Sequence, residues 1–272
     1  MLSRFGLKEE PFKDNLDERF YFSTKQHERA YASMVYCITE NEPAGIILGT
    51  SGVGKSLISQ RLLSTLDKDK TYIPIIVLIY PKMSKIALLR EIYSQLGLPK
   101  LKSNPNTSDL LEPIHSHIID QYKNGKRIAL MMDESHFLNV SALHLIRTLT
   151  NIETAKEKLI TSIFIAEQKF LKRLQYKTYD SLRGRIKIKA QLDPLDADET
   201  AQFIQYRLHV AGAKEDIFPE ESYELIYKRS KGICRNINKI AGQALFDAFF
   251  DGQTEVTMES LKGSLKNLSG IL

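Results

Sequence analysis

The chain has 272 residues, 43% of them hydrophobic and 26% charged, and its formal net charge is +5. This composition is ordinary for a soluble globular protein with one large domain, or with a large and a small one. No apolar run approaches the roughly 20 residues of a membrane-spanning helix, and the N-terminus is charged where a signal peptide would be apolar. The sequence therefore predicts a cytoplasmic protein without an integral membrane segment. Cys37 and Cys234 have no paired spacing, which excludes an encoded disulfide framework or zinc site.

The first forty residues predict an N-terminal arm and a helix. Residues 11–21 mix aromatic and charged side chains without a helical or a strand period, so an extended arm is expected. Ser23 and Gln26 have the spacing of a capping box, which predicts a helix that runs to about Glu40.

Strand and helix patterns then alternate. Strands are predicted at residues 44–48, 75–80, 127–132, 159–166 and 185–189. Helices are predicted after the first strand and at about residues 84–96, 108–123, 140–150 and 168–175. The second strand is expected to begin at Ile75 because Pro74 has no N–H to donate, and the last alternates charge with Ile as an edge strand does. This alternation is typical of an α/β fold with a parallel sheet.

After Pro194 the strand signals stop. Helical patterns occupy about residues 198–211, 219–231, 235–250 and 257–268. We therefore predict two domains, residues 1–193 and residues 194–272, the second of them small and all-helical.

The most informative stretch is residues 49–56, which read Gly-Thr-Ser-Gly-Val-Gly-Lys-Ser between an apolar strand and a helical pattern. This context is the one that a phosphate-binding loop requires, and a chance glycine-rich turn is the alternative. Glycines let backbone N–H groups surround a polyphosphate, Lys55 reaches the β- and γ-phosphates, and the Ser56 hydroxyl ligates Mg²⁺. The expected nucleotide-binding residues are Gly49, Thr50, Ser51, Gly52, Val53, Gly54, Lys55, Ser56 and Leu57.

Two carboxylates directly follow the strand at 127–132. In a parallel sheet the ligand crevice lies at the carboxyl ends of the strands, so Asp133 and Glu134 are expected beside the phosphate loop. Asp133 would hold Mg²⁺, and Glu134 would orient and deprotonate the attacking water. An acidic turn after a strand is the alternative. His136 is expected to be a hydrogen-bonded surface residue, and it is assigned no role.

Three arginines are candidates for stabilising the charge that develops on the γ-phosphoryl group. Arg183 and Arg185 stand at the start of the predicted edge strand, and Arg235 starts a helix of the second domain. Surface charge is the alternative for all three.

Over nearly its full length the chain resembles AAA+ ATPases of the ExeA/GspA/MshM type. The matching motifs include Phe5-Gly6-Leu7, the phosphate loop, Asp133-Glu134, Leu182-Arg183-Gly184-Arg185-Ile186 and Gly232-Ile233-Cys234-Arg235. The resemblance implies a P-loop NTPase domain with a parallel sheet and a small all-α lid, which binds ATP and Mg²⁺ at the interfaces of a homo-oligomeric ring or filament. It further implies that Arg183 or Arg185 acts as an arginine finger and that Arg235 is the lid arginine. The chain departs from the family pattern at residues 166–170, which leaves Glu167 and Gln168 as candidates for the polar sensor.

Two outputs of ATP hydrolysis follow from this resemblance. One is an envelope-assembly ATPase that serves a secretin or a type IV pilus. The other is an ATP-dependent DNA-bound regulator of transposition, similar to TnsC and MuB. For the second, the basic residues between 169 and 189, together with Lys82, Lys85, Lys100 and Lys102, would track DNA phosphates. Solvated helix ends are the alternative for these lysines.

Overall fold

The structure is a computed structural model that describes residues 2–15, 17–100 and 104–270. These residues contain one five-stranded sheet in which all neighbouring strands are parallel. Its strands are β1 (Ala44–Gly49), β2 (Tyr72–Leu78), β3 (Arg127–Asp133), β4 (Ile160–Ala166) and β5 (Ile186–Leu192). The order across the sheet is β2-β3-β4-β1-β5. The predicted α/β class with a parallel sheet is confirmed, and so is the edge position of the last strand.

Helices follow the strands as the sequence predicts. Before β5 they are α1 (Lys25–Thr39), α2 (Lys55–Lys68), α3 (Lys85–Gln95), α4 (Thr107–Lys123), α5 (Val140–Leu149), α6 (Gln168–Leu174) and α7 (Asp180–Arg183). After β5 come α8 (Ala197–Val210), α9 (Glu220–Ser230), α10 (Cys234–Phe250) and α11 (Met258–Asn267).

The predicted start of β2 at Ile75 is wrong, because the strand begins at Tyr72 and contains Pro74. β2 is an edge strand that pairs with β3 alone. On its open side Ile76 N–H donates to Gln95 Oε1 at 3.1 Å, and Gln95 Nε2 donates to Ile76 O at 2.7 Å. Backbone groups two residues apart point to the same side of a strand, so the backbone nitrogen of Pro74, like that of Ile76, faces the open edge. Because it does not face β3, its lack of an N–H costs no hydrogen bond between the two strands.

The chain folds into two compact units. The sheet unit contains Gln26–Gly49 and Ile58–Leu192. The helical unit contains Met1–Lys25, Thr50–Leu57 and Asp193–Leu272, and thus includes the N-terminal arm and the phosphate loop as well as α8 to α11. The division at residues 193 and 194 stays a prediction.

The core of the sheet unit is built from the strands and the helices that follow them. Every residue of β1 and β4 is buried, as expected for inner strands covered on both faces. Leu48, Val77, Leu130 and Phe164 are fully buried, and each such side chain contributes about 1.5–3 kcal/mol by leaving water. This core fixes the positions of the carboxyl ends of β1, β3 and β4 relative to one another.

The N-terminal arm packs into the core of the helical unit. Phe12 meets Phe218 edge to face, with ring centroids 6.0 Å apart. Arg207, which is 4% exposed, donates to the carbonyl oxygens of Pro11 at 2.6 Å and Lys13 at 2.9 Å. Burial lowers the pKa of this guanidinium, and the arm's carbonyl groups supply the hydrogen bonds that a buried cation requires. The arm is therefore a structural part of the helical unit.

Gly232 is a position where only glycine fits. Its φ is +69°, and a Cβ there would lie 1.9 Å from Leu195 O. Leu195 N–H in turn donates to Gly232 O at 2.9 Å, so neither backbone can withdraw without losing that bond. We expect Gly232→Ala to lower the free energy of unfolding by at least ~2 kcal/mol, measured by urea denaturation.

Gly263, inside α11, is the matched control. Its φ lies outside the left-handed range, and a Cβ there meets no atom within 4 Å. Gly263→Ala should therefore raise the free energy of unfolding by about 0.5–1 kcal/mol. Equal effects of the two substitutions would contradict the steric argument.

Candidate nucleotide-binding site

The carboxyl ends of β1, β3 and β4 lie along one edge of the sheet. Leu48 is in register with Ala166, and Met132 with Phe164, so β1, β3 and β4 end within about two residues of one another. In chain order the phosphate loop follows β1, Glu134 follows β3 and Glu167 follows β4. In open parallel sheets this edge carries the ligand crevice.

The phosphate loop has the backbone that its glycines allow. Gly52 and Gly54 have φ values of +82° and +102°, in the left-handed region that side chains disfavour. α2 begins at Lys55, and Leu57 N–H donates to Gly54 O at 3.1 Å in its first turn. Lys55 is only 5% exposed, and its Nζ donates to Thr50 O at 2.8 Å. The loop thus curves around the ammonium group of its own lysine.

Arg235 contacts the phosphate loop directly. Its backbone N–H donates to Gly52 O at 3.2 Å, and its guanidinium donates to Ser51 Oγ at 3.1 Å. A Cβ on Gly52 would lie 2.8 Å from Arg235 Cβ, so the glycine also permits this approach. The guanidinium Nε donates to Asp14 Oδ2 at 3.0 Å as well. The sequence indicated Arg235 but not its partner Asp14, which is 221 positions away and carries no motif.

Asp133 and Glu134 form a tight turn after β3. Asp133 is 8% exposed, and its Oδ1 accepts the N–H of Glu134 at 2.8 Å. Glu134 has a left-handed backbone, with φ +57°, and the short 3-10 helix Ser135–Phe137 follows it. Ser135 Oγ donates to Met132 O at 2.7 Å and closes the turn. A non-glycine residue in this conformation costs about 1–3 kcal/mol, and such strain is concentrated at functional sites.

His136 is buried, and its predicted surface position is wrong. Its side chain is 1% exposed, with Nδ1 3.3 Å from Glu134 Oε2 and Nε2 3.9 Å from Glu167 Oε1. The 3-10 helix turns the ring back toward the end of β4, which a local sequence pattern does not reveal. Of the two polar-sensor candidates, Glu167 is the one that lies at His136. The sensor role itself stays a prediction.

The donor atoms of each unit, taken by itself, suit a different kind of ligand. In the helical unit a buried ammonium group, a hydroxyl group and the amides at the start of α2 suit anionic phosphate oxygens. In the sheet unit the buried Asp133 carboxylate is a hard oxygen ligand of the kind that Mg²⁺ prefers.

Comparison with known proteins identifies the family of the chain. The profile of a family described as AAA domain matches residues 38–174, half of the chain. The chain belongs to the AAA domain family. General secretion pathway protein A of Aeromonas hydrophila is 28% identical to it over 267 residues. This match covers 98% of the chain, which spans about half, 48%, of that relative. The resemblance to the ExeA/GspA type is confirmed.

Solved structures share the fold of this AAA chain. The ORC2 protein of Aeropyrum pernix, solved with ADPNP and ADP, superposes with a TM-score of 0.73 at 16% identity, covering 97% of this chain and 73% of that protein. Cdc6p of Pyrobaculum aerophilum gives a TM-score of 0.75 at 16% identity, covering 94% and 70%. At such identities the likeness shows the fold alone, which is the predicted P-loop NTPase fold with a C-terminal helical region.

Membership of the AAA family implies ATP binding and ATPase activity. Within the described ranges, no helix is both long and apolar enough to cross a bilayer.

The two finger candidates of this AAA chain lie just before β5. Arg183 ends α7, is half-exposed and pairs with Asp180 Oδ1 at 2.7 Å. Arg185 lies in the turn before Ile186 and donates weakly to Thr150 O at 3.4 Å. The more exposed Arg183 is held by this surface ion pair and by two hydrogen bonds, which its guanidinium donates to Leu174 O and Gln175 O at 3.3 Å each.

Several basic residues between 169 and 189 already have partners. Arg173 donates to His136 O at 2.7 Å and Leu138 O at 2.6 Å, and Lys169 Nζ lies 2.9 Å from Glu167 Oε2. Of the other lysines considered for DNA binding, Lys102 lies outside the described residues. The basic stretch is thus partly structural, which weakens the reading of it as a surface that follows DNA phosphates.

Proposed function

We propose that this AAA chain hydrolyses ATP in a Mg²⁺-dependent reaction. The observation that carries the proposal is the phosphate loop with two left-handed glycines and the buried Lys55 at the start of α2. Lys55 binds the β- and γ-phosphates, Ser56 and Asp133 hold Mg²⁺, and Glu134 orients the attacking water and accepts its proton. Mg²⁺, when bound, neutralises charge on the phosphate oxygens.

Arginines complete the proposed site. Arg235 reports the nucleotide state to the helical unit, because its guanidinium group already contacts Ser51 of the phosphate loop. Arg183 or Arg185 stabilises the γ-phosphoryl group of a neighbouring copy. A finger supplied in trans needs an exposed position, and Arg183 is exposed whereas Arg185 is partly buried. The active form is then a homo-oligomer, a ring or a filament, with ATP at its interfaces.

We propose further that the ATPase acts in the assembly of a secretin or a type IV pilus. Support comes from the likeness to general secretion pathway protein A along 98% of the chain. The DNA-bound alternative has weaker support, because Arg173 donates to two backbone carbonyl groups and Lys169 forms an ion pair with Glu167.

Metal dependence and assembly can be tested together with the purified protein. Phosphate release with ATP and Mg²⁺ is expected to stop on addition of EDTA and to return with excess Mg²⁺. If a neighbouring copy supplies the finger, activity per subunit should also rise with protein concentration until assembly is complete. Hydrolysis that persists in EDTA would contradict the metal assignment, and activity per subunit independent of concentration would contradict the shared site.

A further inference from the structure

His136 lies between the two acidic residues that follow β3 and β4. Its Nδ1 is 3.3 Å from Glu134 Oε2, and its Nε2 is 3.9 Å from Glu167 Oε1. The side chain is 1% exposed, whereas the carboxylates are 33% and 29% exposed. An imidazole ring has two nitrogens. In His136 each of them lies at ion-pair distance from a different carboxylate, so one buried side chain faces both acidic residues.

The backbone that carries His136 is held from behind. Arg173 of α6 donates to His136 O at 2.7 Å and to Leu138 O at 2.6 Å. The Arg173 guanidinium lies 5.7 Å from the centroids of Phe170 and Tyr179. With its main chain fixed and its side chain buried, the ring of His136 has little freedom to turn away from Glu134.

The partners of Glu167 show how the link extends to β4. Oε2 of Glu167 lies 2.9 Å from Lys169 Nζ, while Oε1 is the oxygen that faces His136. The two oxygens therefore have separate neighbours. If the carboxylate of Glu167 moved, the imidazole ring of His136 would change position. The carboxylate of Glu134, which faces the other ring nitrogen, would then change position as well.

We propose that His136 is a positioning residue that holds Glu134 in place for catalysis and couples it to Glu167 at the end of β4. This inference rests on the proposed ATPase function and on the role of Glu134 in it. His136 touches neither nucleotide nor water in this account, and it acts through the carboxylate that it orients. A misplacement of about 1 Å at a reacting group costs on the order of 10²-fold in rate.

The first test separates binding from turnover. His136→Phe fills the space of the ring without a polar nitrogen, and it should lower kcat by about 10- to 100-fold while the Kd for ATP changes by less than about twofold. Urea denaturation of the same variant checks that the fold is retained. A wild-type kcat in folded His136→Phe would overturn the proposal.

Two conservative variants add a readout that a purely structural role would not give. The amide nitrogen of Asn occupies roughly the place of Nδ1, which faces Glu134, and that of Gln the place of Nε2, which faces Glu167. His136→Asn should therefore recover more of the lost kcat than His136→Gln. The reverse order would contradict orientation of Glu134 through Nδ1.

A double-mutant cycle tests the coupling to Glu167. Glu167→Gln should lower kcat when His136 is present and have almost no further effect, within about twofold, in His136→Phe. Equal effects in both backgrounds would show that Glu167 acts without His136. Glu134→Gln serves as the reference: if it hydrolyses ATP at the wild-type rate, the proposed base is wrong, whereas an inactive Glu134→Gln with a fully active His136→Phe refutes only the present inference.

Discussion

Glu134→Gln is expected to lower the kcat of ATP hydrolysis by about 10²- to 10⁴-fold while ATP remains bound. The amide has the size of the carboxylate but cannot accept a proton from water, so the loss falls on the chemical step. Phosphate release measures turnover, and a fluorescent ATP analogue measures the Kd. The left-handed backbone conformation of Glu134 is part of the turn after β3 and does not depend on the carboxylate, so the substitution should leave the fold unchanged.

Glu112→Gln is the matched control, since Glu112 is an exposed glutamate on α4 of the sheet unit. It should leave both kcat and the Kd for ATP unchanged. Persistent hydrolysis by Glu134→Gln would refute the base assignment. Loss of ATP binding in that variant would mean that Glu134 contributes to the affinity for nucleotide rather than to the chemical step.

Lys55→Ala is expected to weaken ATP binding by at least about 100-fold, since it removes a buried cation that would face the phosphates. The ammonium group donates to Thr50 O in the structure, which holds it at the loop. Lys55→Arg should fail to restore binding, because a planar guanidinium group does not fit a buried site shaped for a point charge. Isothermal titration with ATP and Mg²⁺ measures both variants.

Lys68→Ala provides the control for Lys55→Ala, because Lys68 is exposed at the last position of the same helix. It should bind ATP like the wild type. Unchanged binding by Lys55→Ala would remove the basis of the proposed function. In the native host, Lys55→Ala should also fail to support secretin or pilus assembly where the wild type does, and full complementation would separate ATP binding from that role.

Local patterns in the sequence were enough to predict most of the elements. The apolar runs at 127–132 and 159–166 predict β3 and β4 to within a residue, because buried parallel strands are continuous hydrophobic segments bounded by polar ones. The start of β2 was missed for a physical reason. Whether Pro74 disrupts a strand depends on which edge is open, and strand order is a property of the whole sheet.

The residues of the candidate site differ in how far the sequence could identify them. Gly49–Ser56 and Asp133-Glu134 can be recognised because each occupies a fixed place beside a strand, and the chemistry of phosphate and Mg²⁺ restricts the residue types. Arg183, Arg185 and Arg235 could be named only as candidates. Their roles depend on neighbours that no local pattern specifies.

The sequence by itself determined the family, the phosphate loop and the carboxylates after β3, since these depend on contiguous residues and their spacing. Only the tertiary structure decided that Asp14 meets Arg235 and that His136 lies between Glu134 and Glu167. These contacts join residues distant in the chain through the packing of helices and the register of strands. The physical reason is that a single histidine or aspartate carries no periodic signal, and its partner is set by where the folded backbone brings the two side chains.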